Sequence, residues 1–180
     1  IDFNEKFHPN KIDFYSLKSK KKICELDISS FNSKDSKYTT LKRSTLVKFL
    51  KKDLENLIKT SYKISKIIQQ NRQIILSFEN KETIECDHLI ISDGVFSKSK
   101  SLISNNKTKP RYNNTLAIRG LMPKSSNNID NKNISLFLNS DFHHVIYPVN
   151  SNGDLNFIAI MKYKLSVEEQ KNYSLFSDNS

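Results

Sequence analysis

The sequence is poor in the residues that phosphate-binding loops and disulfides require. Its 180 residues contain only three glycines, which stand apart at positions 94, 120 and 153. The chain therefore lacks a Gly-x-Gly-x-x-Gly loop, whose glycines let the backbone approach a pyrophosphate. The two cysteines, Cys24 and Cys86, lie far apart in strand-like runs. We expect them to be reduced core thiols in a cytoplasmic protein.

The sequence also shows no pattern typical of a membrane span or a metal site. No apolar run approaches the roughly 18 residues that a transmembrane helix needs, so we expect no transmembrane segment. The four histidines show no metal-ligand spacing with cysteines or carboxylates. We therefore expect no metal site.

Arginine is scarce although the chain is basic. The 29 Lys and Arg residues outnumber 19 Asp and Glu, for a net charge of +10, but the arginines are only Arg43, Arg72, Arg111 and Arg119. Proteins that bind nucleic acids read bases and phosphates largely through arginine, so we expect no nucleic-acid partner. A basic module that binds nucleic acid or another anionic surface is the alternative from a different class of function.

Hydrophobic periodicity divides the first half of the chain into strands and one helix. An apolar stripe at helical spacing predicts a helix over residues 44–60. The basic run at 18–22 separates two strand-like runs and predicts a solvated hairpin turn. Short apolar runs bounded by turn residues predict strands at 12–17, 23–28, 62–69, 73–79 and 83–91.

The second half is predicted to form an antiparallel sheet. Residues 107–110 are polar, and we interpret them as a linker. Four strand-like runs with turn residues between them follow this linker. They lie at 114–122, Ile134–Leu138, 143–149 and 155–161.

Residues 83–103 combine a predicted buried strand, a tight turn and a helix start. The continuous apolar run at 89–91 fits a strand that is buried on both faces. Asp93 and Gly94 end the strand, and Ser97 is a predicted helix N-cap. In open α/β sheets a carboxylate at a strand's end can hold a ribose hydroxyl, and a helix N-terminus can face a phosphate. The alternative is an ordinary strand-turn-helix in which Asp-Gly is only a turn.

This motif resembles the second flavin motif of the class A FAD-dependent monooxygenases, the flavoprotein aromatic hydroxylases. The matching residues are Ser92, Asp93, Gly94, Ser97 and Lys100. The family usually has Gly-Ala before the aspartate and arginine at the end, where this chain has Ile91-Ser92 and Lys100. Lysine keeps the charge of arginine but not its planar fork of donors. The resemblance implies that Asp93 and Gly94 bind the flavin cofactor.

Other stretches resemble the same family in the same order, from residue 12 to about residue 164. Arg43 precedes Leu46 and Leu50 as in a family pattern whose arginine commonly lies against the flavin dinucleotide. The resemblance therefore implies that Arg43 binds FAD. A solvated arginine at a helix start is the alternative.

Two later strands carry candidate substrate residues. Residues 117–123 resemble the family's Tyr/Phe-Arg-Gly-x-x-Pro strand, and we expect Arg119 to attract a substrate carboxylate. A structural ion pair is the alternative for Arg119. Residues 142–161 resemble the family's Tyr-Pro strand and its return strand. The chain is most similar to the salicylate-hydroxylase-like branch.

Strand alternation places two candidate catalytic residues on one face of the predicted sheet. His143, Val145 and Tyr147 point to one face, and His144 points to the other. An imidazole and a phenol on an apolar sheet can deprotonate or orient a phenolic substrate. The resemblance implies that such polar groups, here His143 and Tyr147, stand beside the flavin ring. The alternatives are a satisfied core histidine and a packed aromatic ring.

The resemblance implies an α/β fold with an α+β substrate domain. We expect residues 38–107 to be part of a Rossmann-like FAD-binding domain, and residues 1–37 and 108–180 to be part of an antiparallel substrate-binding domain. The implied function is a FAD-dependent monooxygenase that hydroxylates a small aromatic substrate with NAD(P)H and O2. Because the glycine-rich loop is missing, we expect an internal fragment that is inactive alone. A ubiquinone-biosynthesis-type hydroxylase, a flavin reductase or a homologue that has lost flavin are the alternatives.

Overall fold

The computed structural model describes residues 1–33, 35–104, 111–126 and 132–171. The chain forms two compact units: the first unit contains Ile1–Lys52 and Asn113–Ser180, and the second unit contains Asp53–Tyr112. The predicted linker at 107–110 lies outside the described residues, as does the predicted domain boundary after residue 107. The predicted boundary after residue 37 falls inside the first unit.

Strands dominate the described residues, and the helices are short. The strands are β1 (Lys6–Phe7), β2 (Lys11–Ser16), β3 (Lys21–Asp27), β4 (Thr40–Leu41), β5 (Ile64–Gln70), β6 (Gln73–Phe78), β7 (Thr83–Cys86), β8 (Thr115–Met122), β9 (Ile134–Leu138), β10 (Phe142–Pro148) and β11 (Leu155–Lys162). The α-helices are α1 (Arg43–Lys51), α2 (Ser99–Ile103) and α3 (Val167–Lys171). No helix in the described ranges has the length and apolar character that crossing a bilayer requires. In the same ranges, no group of three or more His, Cys, Asp or Glu side chains is placed to hold a metal ion.

The first unit is built on a six-stranded sheet in the order β3-β2-β9-β10-β11-β8. Neighbouring strands are antiparallel except β2 and β9, which run parallel. The predicted hairpin of β2 and β3 and the predicted antiparallel sheet of the second half are therefore confirmed. The parallel pairing that joins them was not predicted, because neither strand's own sequence specifies a partner so distant along the chain.

Three of the most deeply buried side chains of the first unit lie at the turn that joins β10 to β11. Val149 and Leu155 flank this turn and are each only 1% exposed. Pro148 is also fully buried, and the polar Asn150 is only 6% exposed. A buried amide needs hydrogen-bond partners, so this turn depends on polar contacts as well as on apolar packing.

Aromatic rings line one face of this sheet, here called the back face. Tyr15 stacks on Phe137 at 4.9 Å between ring centroids, and Phe137 stacks on His144 at 4.4 Å with 12° between the planes. The ring centroid of Phe157 on β11 lies 5.9 Å from that of His144. Burial lowers the pKa of His144, so its imidazole is neutral at pH 7. Within the described residues, its buried Nδ1 has no hydrogen-bond partner.

This packing gives a stability prediction for His144. Replacement with phenylalanine should raise the free energy of unfolding by about 1 kcal/mol, because it removes a buried nitrogen that lacks a partner and keeps the ring stack. Replacement with glutamine should lower it, because the ring contacts with Phe137 and Phe157 are lost. Urea unfolding of both variants beside the wild type measures the difference. A less stable phenylalanine variant would contradict the prediction.

A charged cluster joins β2 and β3 on the back face. Lys22 Nζ lies 2.6 Å from Asp13 Oδ1 and 2.5 Å from Glu25 Oε2, and Lys11 Nζ lies 2.7 Å from Glu25 Oε1. Asn133 Nδ2 donates to Asp13 Oδ2 at 2.8 Å. Burial alone would raise the pKa of Asp13, but the hydrogen bonds from Lys22 and Asn133 outweigh it and lower that pKa. The two lysines lower the pKa of Glu25 to about 2.

The lowered pKa of Asp13 predicts loss of stability in acid. The unfolded chain protonates this carboxylate more readily than the folded chain does, so stability rises with pH in this range. The contribution is complete above the unfolded pKa of about 3.9 and is lost as the pH falls through the lowered folded pKa. Urea midpoints from pH 7 to pH 2 should fall less steeply in Asp13→Asn than in the wild type. The exposed Asp35→Asn is the control and should follow the wild type.

Helix α1 is shorter than predicted. The sequence predicted a helix over 44–60, whereas α1 ends at Lys51 and Asp53 has a φ of 65°. This left-handed conformation cannot continue a right-handed helix. The apolar stripe of α1 is largely uncovered, with Leu46, Phe49 and Leu50 exposed by 41%, 49% and 60%.

The second unit is an antiparallel meander in the order β5-β6-β7, with α2 packed against β5. Leu76 and Phe78 on β6 form its core, and Tyr62 meets Phe78 edge-on at 5.1 Å. Asn71 and Lys81, with φ of 55° and 70°, turn the chain between the strands. The predicted strands at 62–69 and 73–79 are therefore confirmed.

Two predictions for buried segments are wrong. The predicted strand over 83–91 ends at Cys86, and Ile90 is 89% exposed. Within the described residues no strand pairs with 87–98, and an extended run without ladder partners is not a sheet strand. Both cysteines are free, but Cys24 is exposed on β3 and is not a core thiol.

Candidate functional site

The front face of the six-stranded sheet forms one wall of a cavity of about 550 Å³ in the first unit. The segment that precedes α1, together with the first turn of α1, forms the facing wall. The lining residues are Arg119, Ile134, Val145, Tyr147, Asn156 and Ile158 from the sheet, and Tyr38, Thr39, Thr40, Leu41, Lys42, Arg43 and Leu46 from the facing segment. We call this space the front cavity.

Strand register explains how residues distant in sequence meet on the front face. Directly opposite residues in antiparallel strands share a face of the sheet. Tyr147 on β10 lies opposite Asn156 on β11. Ile158 lies opposite Val145 on one side and Arg119 on the other. The strand pairing therefore gathers a phenol, an amide and a guanidinium around apolar side chains.

Three of the predicted site residues line this cavity together. Arg43 reaches it from the start of α1, Arg119 from β8 and Tyr147 from β10. His143 lies two residues before Val145 on the same strand face, but its side chain is exposed and does not line the front cavity. His144 lies on the opposite, back face among aromatic rings, as alternation predicts.

The front cavity is electropositive. Its lining includes no Asp or Glu in the part of the chain that the structure describes. Among the described residues, the guanidinium groups of Arg43 and Arg119 form no ion pair and no hydrogen bond, so Arg119 is not part of a structural ion pair there. Lys42 also lines the cavity, but its ammonium is paired with Asp154 at 2.7 Å. Two guanidinium groups without partners in a concave site favour an anionic ligand.

Tyr147 keeps its proton at neutral pH. Burial raises the pKa of its phenol above the ordinary value. The positive charge of Arg119 and a hydrogen bond with Asn156 act in the opposite direction, but burial outweighs them. A protonated phenol next to a guanidinium can donate a hydrogen bond to an oxygen of a bound ligand.

Sequence reasoning missed Tyr38 and Asn156 in this site. Tyr38 lies in a polar loop without a periodic pattern, and its place is fixed by contacts with distant residues. Its N–H donates to Asn32 Oδ1 at 2.8 Å, and its carbonyl lies 3.3 Å from His8 Nδ1. Asn156 was detectable in principle, because it belongs to a predicted strand, but its role depends on its register opposite Tyr147.

The predicted Asp-Gly motif lines a separate cavity of about 520 Å³ in the second unit. Ser99 N donates to Asp93 Oδ2 at 3.2 Å, and hydrogen bonds from Ser97 and then from Ser99 lower the pKa of Asp93. Lys100 N donates to Ser97 Oγ at 3.0 Å, but the N-cap of α2 is Lys98 and not Ser97 as predicted. Asp93 thus supports the local turn, and α2 that follows has only five residues.

Gly94 is needed for its backbone conformation. Its φ is +80°, a value that side chains with a Cβ rarely adopt. A Cβ built at this position would have no atom within 4 Å, so space is not the constraint. The open surroundings of Gly94 leave its backbone accessible from the cavity of the second unit.

Comparison with known proteins gives matches at the level of structure. No protein-family model matches the chain, and no curated protein sequence does. Klebsiella pneumoniae HpxO, solved with FAD and uric acid, is similar with a TM-score of 0.75 and 14% identity over 98% of this chain. The 2,6-dihydroxypyridine-3-hydroxylase of Arthrobacter nicotinovorans has a TM-score of 0.69 and 15% identity over 93% of this chain. A salicylate hydroxylase solved as a substrate complex has a TM-score of 0.68 and 15% identity over 89% of this chain.

The chain spans about half the length of these proteins, covering 48%, 43% and 43% of them. At this identity the similarity concerns the fold. It extends over both compact units, because nearly the whole chain is matched. The resemblance predicted from the sequence is therefore confirmed for the fold: the chain has the architecture of part of the FAD-dependent aromatic hydroxylases.

Proposed function

We propose that this chain is part of a FAD-dependent monooxygenase that hydroxylates a small aromatic substrate with NAD(P)H and O2. The observation that carries the proposal is the front cavity. It gathers Arg43, Arg119 and Tyr147, which the sequence singled out separately. The fold shared with solved hydroxylases supports the same function.

The domain assignment belongs to this proposal. Residues 1–37 and 108–180 would form part of the substrate-binding domain, and residues 38–107 part of a Rossmann-like FAD-binding domain. In support of the first assignment, the hairpin of β2 and β3 shares a sheet with β8 to β11. In support of the second, a three-stranded meander leads directly to the Asp-Gly motif.

The residues present fit part of FAD. Arg43, which has no partner among the described residues, offers its guanidinium to a phosphate or another anionic group at the wall of the front cavity. In the second unit, Gly94 leaves its backbone open to a ligand, and the carboxylate of Asp93, which accepts hydrogen bonds from Ser97 and Ser99, lines the same cavity. Bound FAD would supply the redox chemistry that activates O2 with electrons from NAD(P)H.

The side chains of the front cavity would position the substrate. Arg119 would bind a carboxylate on the aromatic ring, and Ile134, Val145 and Ile158 would contact the ring itself. Protonated Tyr147 would donate a hydrogen bond to the substrate's phenolic oxygen. His143 would be the base that accepts the substrate's phenolic proton, because it lies on the same strand face as Tyr147. The variant His143→Ala tests that role.

Flavin content of the longer protein that contains this chain tests the proposal. The wild type should carry stoichiometric flavin absorbance and form hydroxylated product with NAD(P)H. Asp93→Ala should lose most of the flavin, or most of its reduction by NAD(P)H, whereas its urea midpoint should fall only by the loss of the hydrogen bonds of the local turn. Asp87→Ala, an exposed residue of the same unit, is the matched control. Wild-type flavin content and reduction in Asp93→Ala would overturn the Asp-Gly assignment.

A further inference from the structure

A polar cluster at the end of the sheet holds the facing wall of the front cavity. Its centre is Asp154, the residue that immediately precedes β11. Asp154 Oδ2 accepts from Lys42 Nζ at 2.7 Å and from Asn150 Nδ2 at 2.9 Å. Asp154 Oδ1 accepts from Lys124 N at 3.0 Å. One carboxylate therefore ties together the segment before α1, the β10–β11 turn and the chain after β8.

The β10–β11 turn presents this carboxylate rigidly. Asp154 N donates to Asn150 Oδ1 at 3.0 Å, and Val149 N donates to Asp154 O at 2.9 Å. Asn150 is only 6% exposed and Val149 only 1%, so the turn is part of the core. A carboxylate on such a support can fix the position of a flexible lysine.

Lys42 is the N-cap residue of α1. Its carbonyl accepts the hydrogen bond from Leu46 N at 3.2 Å, the bond of the first helical turn. Arg43 follows Lys42 directly and places its guanidinium at the front cavity. Two residues earlier, β4 is held independently, because Thr40 Oγ1 donates to Pro148 O at 2.5 Å and β4 pairs with β1. The ion pair with Asp154 is therefore the anchor closest to Arg43.

We propose that Asp154 is a positioning residue of the front cavity, which fixes Arg43 and the first turn of α1 by holding Lys42. Asp154 is not among the lining residues of the cavity, so it acts through Lys42 and not on a ligand. Any effect of Asp154 on substrate binding rests on the proposed function. Its effect on the position of Arg43 and the first turn of α1 does not.

The test compares Asp154→Asn with wild type in the folded 180-residue chain. Only four arginines contribute Nε signals to a nitrogen-resolved NMR spectrum, so Arg43 can be followed directly. In Asp154→Asn the Arg43 Nε signal should move, and amides of residues 42–50 should exchange about tenfold faster, because a charged hydrogen bond is lost. Arg72, in the second unit, should keep its signal.

Asp141→Asn is the matched control. Asp141 Oδ1 pairs with Lys162 Nζ at 2.6 Å on the same β10–β11 hairpin, but neither residue lines the front cavity. This variant should leave the Arg43 signal and the exchange of 42–50 unchanged. A general loss of stability would lower the urea midpoint without moving the Arg43 signal of the folded chain.

Lys42→Met provides a second route if Asp154→Asn does not fold. It should reproduce both changes, and adding it to Asp154→Asn should cause no further change, because the ion pair between Lys42 and Asp154 is already lost in that variant. An Arg43 signal and an exchange rate that stay at wild-type values in either single variant would overturn the proposal. Salicylate titration of the wild type tests the proposed function separately, since the NMR and exchange measurements need no ligand.

Discussion

Replacing Arg119 with methionine should weaken salicylate binding to the front cavity by about 10- to 100-fold. Methionine keeps the length and the apolar stem of the side chain but removes the guanidinium. A hydrogen bond to a charged group contributes about 1.5–3 kcal/mol, which gives this range of affinity. Arg119 has no ion pair or hydrogen bond among the described residues that would compete with the carboxylate. Calorimetric titration with salicylate measures the effect.

Two controls separate charge recognition from general damage to the cavity. Arg72→Met removes an exposed guanidinium from the second unit and should leave salicylate affinity unchanged. Phenol, which has no carboxylate, should lose little affinity in Arg119→Met. Equal losses for salicylate and phenol would mean that Arg119 shapes the cavity and does not recognise the carboxylate.

Replacing Tyr147 with phenylalanine should reduce the product formed per NAD(P)H consumed in the longer, flavin-bound protein. The variant keeps the ring in the front cavity but removes the phenolic hydrogen-bond donor. Without that donor the aromatic substrate is held less firmly, and more of the reducing power should appear as hydrogen peroxide. We expect a loss of about 10-fold or more in coupled turnover, typical of removing a group that orients a proton transfer.

The two adjacent histidines test the register of the same strand. His143→Ala should also lower coupling if His143 is the base, although its side chain is exposed. His144→Gln should lower stability but not coupling, because its ring packs on the back face. Wild-type coupling in His143→Ala would remove His143 from the mechanism. A larger loss of coupling in His144→Gln than in Tyr147→Phe would contradict the assignment of the front face.

Local patterns predicted the strands better than the partners of those strands. Alternation along β10 correctly separated Tyr147, at the front cavity, from His144, on the back face. The position of Asn156 beside Tyr147 and the anchoring of Lys42 by Asp154 depend on register and on contacts across the fold. Such contacts join residues that are far apart in the chain, so local patterns in one sequence do not reveal them.

The errors in the prediction also have local physical causes. Helix α1 ends early because Asp53 adopts a left-handed conformation, although the apolar stripe continues beyond it. The apolar run at 89–91 has the composition of a buried strand, but Ile90 is 89% exposed. It is not a strand here because none of the described strands pairs with it. Apolar composition predicts that a segment can be buried, whereas a strand also requires a neighbour.

The parallel pairing of β2 with β9 also affects how the protein is made. Ile12 is synthesised long before its partner Ile134, and the whole second unit lies between them in sequence. At about 5–20 residues per second, the ribosome needs roughly 10 s to add the intervening chain. Throughout that interval the inner edge of β2 is an open template for pairing with another nascent chain. We therefore expect yield in a cell to depend on how quickly β9 emerges, and a slowed ribosome between residues 28 and 134 should favour aggregation of the nascent hairpin.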